Sequence, residues 1–130
     1  MTDDARRRLS GLRDGLLRLH KVLLDSEAAA YERNVARITS RGQLLELVLR
    51  DPWFAGLHEL SKLVAVIDET LEEKNPEAAM DAGALIRKAR DLLMPSEDGS
   101  GFRKRYFEAL QRDPNVVMAH AEMMKLFQTL

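Results

Sequence analysis

The first residues to read for chemistry are polar side chains placed where a helical pattern expects apolar ones. At about 100° per residue, Glu27 and Asn34 fall near the centre of the arc defined by Leu9, Leu16 and Leu23. His20 and Tyr31 flank that arc, so one stripe offers an imidazole, a carboxylate, a phenol and an amide. The same projection sets Asp68 beside Leu57, Val64 and Leu71, His120 among Val116, Met123 and Phe127, and Arg90 at the border of the Ile86 and Leu93 face. Turned toward a shared interior, His20, Glu27, Tyr31, Asp68, Arg90 and His120 could line a small ligand pocket. They could equally form a structural network, because a buried carboxylate needs donors or takes up a proton. Arg90 or His120 could supply those donors. A bundle that opens near Glu27 would instead leave the groups in solvent.

Spacing tests the metal version of the pocket. Carboxylate-bridged iron bundles use Glu-x-x-His pairs, since residues three or four apart on a helix can reach one ion. No histidine here has Asp, Glu or another histidine at those separations. His20 and Glu27 lie two turns apart, about 10.5 Å of rise, too far to share one ion easily. Any metal would therefore sit in a mononuclear site drawing Glu27, Asp68 and His120 from different helices, an arrangement that resembles the His-rich bundles of the DinB-like superfamily. No cofactor is expected.

Elements must position these groups, and the pattern makes all of them helices. Apolar residues recur at three- and four-residue steps, and alternating β-branched runs are missing. Thr2 or Asp3 caps a first helix running to about Ser40, with Leu9, Leu12, Leu16, Leu19, Leu23, Ala30 and Ile38 inward. Gly11 and Gly15, one turn apart, either allow a close crossing or are merely tolerated. Ser40 with Gln43 has the capping-box form and opens a short helix ending near Arg50. Asp51-Pro52 restarts a helix carrying Leu57, Leu60, Val64, Ile67 and Leu71, and Asn75-Pro76 opens another with Ala79, Ala82, Ile86, Ala89 and Leu93 inward. Met94-Pro95 closes it. After a loop from Ser96 to Gly101, where Ser100 can cap, Phe102 to Arg112 and the segment after Asp113-Pro114 form a final bent pair. Arg50-Asp51-Pro52 with His58 is echoed by Arg112-Asp113-Pro114 with His120; two capped helix starts account for it better than a duplication.

The expected fold is therefore all-α: a bundle of four main helices with a short extra helix and a bent C-terminal helix pair, one domain spanning residues 1–130. The 130 residues suffice for one core without staples. The absence of cysteine removes disulfides, thiolate zinc sites, iron–sulfur ligation and cysteine nucleophiles. Twenty basic against twenty-one acidic residues give a net charge of −1, which argues against nucleic acid as a partner. Local basic clusters remain at Arg6, Arg7, Arg8 and Arg13 and at Arg103, Lys104 and Arg105, each able to meet an anion. No apolar run approaches the ~20 residues a bilayer requires, and no secretory leader is visible, so a cytoplasmic protein is expected. Glycine-rich phosphate loops, nucleophile elbows and dinucleotide fingerprints are missing, which leans the reading away from an enzyme.

Trp53 and Phe54 in the first turn after Pro52 either seal the end of the core or anchor a partner. Met118 falls on the polar side of its helix, where adaptable methionine surfaces can serve as interfaces. The strings from Leu16 through His20 to Glu27, Asp51-Pro52-Trp53-Phe54, and Asp113-Pro114 through His120 resemble those of small uncharacterised bacterial all-helical proteins, a resemblance that implies a stand-alone helical domain and carries no activity. The expected function is a non-catalytic interaction or regulatory module, pairing with itself as a homodimer or with another protein. The alternative is a ligand- or metal-binding bundle, possibly enzymatic, built on the His, Glu, Asp and Tyr cluster.

Overall fold

The computed structural model describes residues 1–75 and 81–130. Among them the chain forms six α-helices and one short 3₁₀ turn, with no strand. Helix α1 spans Asp3–Asn34, α2 Arg41–Arg50, α3 Leu57–Glu72, α4 Ala82–Leu92, α5 Gly101–Arg112 and α6 Pro114–Thr129, and the turn Pro52–Phe54 precedes α3. The all-α bundle expected from periodicity is the fold observed.

Most starts have a local cause. Thr2 Oγ1 accepts the Ala5 N–H at 3.0 Å and Asp81 accepts that of Gly83 at 2.9 Å. Asp51 and Asp113 accept the N–H two residues on, both at 2.9 Å, so the two Arg-Asp-Pro strings are the same capping device used twice. The α5 start differs from expectation. Ser100 occupies the cap position without a side-chain hydrogen bond, and Glu59 of α3 accepts the Phe102 N–H at 3.2 Å in its place. Gly101 makes this possible: its φ is +61°, and a Cβ there would collide with the Glu59 carboxylate.

Helix α1 stops at Asn34, short of the expected Ser40. The Asn34 side chain donates to the Ala30 carbonyl at 2.8 Å, satisfying a terminal acceptor, and Val35 leaves the helical region. Ser40, extended at φ −158°, caps α2 by accepting the Gln43 N–H at 3.0 Å. The reciprocal bond of the expected capping box is displaced by one residue, because the Gln43 amide oxygen accepts from the Thr39 N–H and hydroxyl. The expected start of the next helix at Pro76, and inward Ala79, lie outside the described residues. Asp81 at ψ 124° begins α4 afresh at Ala82.

Helix α1 is the central rod, packing mainly against α3 and α6 and also against α4 and α5. One cluster forms the interior, from Leu9 through Leu23 of α1, Leu60 and Ile67 of α3, Leu85 and Leu93, and Phe102, Tyr106, Val116 and Phe127. Gly15 lies where α6 crosses: a Cβ there would sit 2.7 Å from Leu126 Cδ2 and 2.9 Å from Met123 Sδ, whereas one at Gly11 would meet nothing. Helix α2 lies at the edge of the core, with Leu44, Leu47 and Val48 packed against it, no fully buried residue, and Leu45 and Leu49 each 60% exposed. Among the described residues no helix is long and apolar enough to cross a membrane.

Candidate functional site

Among the described residues Glu27 is the charged residue that the fold buries most completely, at 3% exposure. Its donors are two arginines of α5. Arg112 Nη2 reaches Oε1 at 2.5 Å, and Arg105 pairs with Oε2 through both Nη2 and Nε, the latter at 3.1 Å. Arg112 also donates to Ser26 Oγ at 3.2 Å. Arg105 and Arg112 are seven residues apart and share a face, so one carboxylate on α1 is gripped along two turns of α5. Trp53 completes the clamp: its ring lies 4.5 Å from the Arg105 guanidinium carbon, and its Nε1 donates to the Glu27 carbonyl at 3.1 Å. The void beside Glu27, bounded by Leu23, Trp53 and Tyr106, measures about 10 Å³, room for one water at most.

Arg90 and His120, the donors expected for Glu27, are engaged elsewhere. Arg90 is exposed; it donates to the Phe127 carbonyl at 2.6 Å and stacks on the Phe127 ring, closing the C-terminus of α6. Arg6 and Arg8 of the N-terminal basic cluster act alike, on the carbonyls of Leu71 and Leu130. His120 Nδ1 lies 2.5 Å from the Tyr106 hydroxyl. Burial acts on both sides of that bond: it raises the Tyr106 pKa far above the ordinary phenol and lowers the His120 pKa, so a protonated tyrosine meets a neutral imidazole.

The remaining members of the expected cluster are distributed along the bundle. His20 Nε2 lies 2.9 Å from Ser61 Oγ, and burial lowers its pKa. Tyr31 is buried against Trp53 and Phe54, with ring centroids 5.8 Å apart in both pairs. Asp68 is half-exposed and pairs with Arg13 at 3.3 Å; hydrogen bonds to Asp68 and then to Asp14 hold that guanidinium still more firmly protonated. Arg13 and Glu27 are separated by about 21 Å of helix rise, so Asp68 and Glu27 serve opposite ends of α1. Asn34, expected near the centre of the buried arc, is exposed at the helix end. Among the described residues no three of His, Asp and Glu are grouped to hold a metal ion.

Sequence reasoning missed Arg112, and it named Arg105 only as part of a basic cluster able to meet an anion, not as a partner of Glu27. The available signal was their register: with Phe102, Tyr106 and Ala109 they continue one stripe of α5, two cations in a row of apolar positions. Comparison with known protein families, with characterised proteins and with solved structures finds no match for this chain. Geometry alone therefore carries the functional argument.

Of the expected interface residues, Phe54 is fully buried and belongs to the core, and Trp53 is tied to Glu27 and Arg105. Met118 is 65% exposed. It borders a groove of about 460 Å³ between α1 and α6 that also takes in Val22, Asp25 and Ala29. A second groove of about 290 Å³, lined by Gly15, Arg18, Lys21, Met123 and Leu126, shares Val22, Ala119 and Glu122 with the first. The two form one seam from Gly15 to Ala29, about 21 Å of helix rise.

Proposed function

We propose that the protein is a non-catalytic helical interaction module of the cytoplasm that pairs with a second copy of itself through the α1–α6 seam. The observation that carries this reading is the seam's charge order. Arg18 and Lys21 line one end and Asp25 and Asp113 the other, with Glu122 common to both grooves and Lys21 paired to Asp25 at 3.7 Å, around a floor that includes Val22, Ala119 and Met123. A two-fold axis perpendicular to α1 would run the two copies of α1 antiparallel across the interface, setting Arg18 of each against Asp25 of the other. Such opposite-end charge fixes register, while the apolar floor and Met118 supply area. The sealed state of the Glu27 clamp favours the same reading, since its void has no space for a substrate. A chain without cysteine fits a reducing compartment.

Sedimentation equilibrium tests it. The wild type should dimerise, Met118→Glu and Arg18→Glu should each shift it to monomer, and Arg18→Glu with Asp25→Arg should restore the dimer by reversing both charges. A wild type that stays monomeric at the highest attainable concentration would overturn the proposal, as would a dimer indifferent to all three variants.

A further inference from the structure

A separate groove lies between α3, α4 and α5, with a volume of about 380 Å³. That is within the range of about 300–1,000 Å³ typical of small-molecule sites. We propose that it binds an aliphatic anion, an acidic head group on an alkyl tail. Leu63, Val66 and Leu92 form an apolar floor, and Leu63 is 3% exposed. Lys62, Lys88 and Arg103 stand around it. Neither lysine pairs with a carboxylate among the described residues. Arg103 uses Nε to hold the Met94 carbonyl at 2.9 Å, which anchors the side chain and leaves the terminal guanidinium nitrogens as donors.

Two carboxylates share the rim and leave its sign unchanged. Glu59 is committed to the Phe102 N–H at the α5 N-terminus, where the helix dipole offsets its charge. Asp91 alone then faces three cations, a balance that favours added negative charge. The apolar floor demands the tail: an inorganic anion would leave the part-exposed Val66 and Leu92 wet, and an uncharged alkyl chain would leave the cations unmatched.

Decanoate and decyl phosphate, each below its micelle concentration, are the probes, with decanol and inorganic phosphate as half-ligands. Binding is read by calorimetry and by the amide NMR shifts of residues 59–66, 88–92 and 103. Decanoate should saturate one site at these amides and raise Tm, with both half-ligands weaker by about tenfold or more. Tighter binding of decyl phosphate would assign the head group as phosphate, and the reverse order as carboxylate, within the same proposal. Lys62→Glu with Lys88→Glu should weaken decanoate binding, and Val66→Trp should abolish it by filling the floor, in variants whose circular dichroism stays helical. The proposal is overturned if neither amphiphile saturates, if decanol binds as well as decanoate, if the shifts map to the α1–α6 seam, or if either variant binds like wild type.

Discussion

The guanidinium of Arg112 holds the carboxylate of Glu27 at 2.5 Å across 85 positions of sequence, tying the last turn of α5 to the C-terminal part of α1. With Arg105 on the other oxygen, this ion triad is the polar keystone of an otherwise apolar interior. Removing one member of a buried pair costs more than the pair contributes, because the remaining charge loses its partner without regaining water.

Glu27→Gln should therefore destabilise the fold by about 3 kcal/mol. Arg112→Met should cost less, since Arg105 still answers the carboxylate. Urea unfolding followed by circular dichroism checks both. Equal and small losses would mean that the triad contributes little to stability.

The histidines set an acid limit. Burial lowers the pKa of His20 and His120 below the ordinary imidazole value of about 6.5, so below that pH the unfolded chain binds protons that the folded one refuses. Stability from both groups is fully present above about pH 6.5 and declines as pH falls toward their folded pKa values. His120→Phe should flatten the change in Tm between about pH 7 and pH 5 relative to wild type. An unchanged slope would show that His120 titrates as it does in the unfolded chain.

The two glycines of α1 should part company. Gly11→Ala meets nothing and removes a mid-helix glycine, so it should stabilise by about 0.5–1 kcal/mol. Gly15→Ala meets Leu126 and Met123 and should gain less, or lose, according to how far those two side-chain ends can move. Thermal unfolding of the pair separates the tolerated glycine from the one that sets the α1–α6 distance.

Gly101→Ala combines a left-handed backbone with a collision against Glu59. It should cost more than the ~1–2 kcal/mol of the conformation alone, because the Phe102 cap is displaced with it. Adding Glu59→Ala should relieve the collision part, making the double variant less costly than the sum of the singles.

Although Asp51-Pro52 opens only a 3₁₀ turn and α3 begins at Leu57, periodicity and capping chemistry made the helical class, the Thr2, Ser40 and Asp113 starts, and most of the α1 core legible in the sequence. These are local: a 3.6-residue repeat and a side chain two or three positions from its N–H need no partner element. The unusual character of Glu27 was legible for the same reason, since its place on the α1 stripe depends only on α1. Its partners were not. Arg90 and His120 sit on apolar borders as plausibly as Arg105 and Arg112 do, and only the crossing of α5 over α1 selects the second pair. The early end of α1 at Asn34, the borrowed cap at Gly101, and the separation of His20, Asp68 and Glu27 were likewise decided by the tertiary structure. A helix projection gives each polar group a direction but no distance between rods, and distance is what turns separate acids and bases into a site or leaves them as separate fastenings.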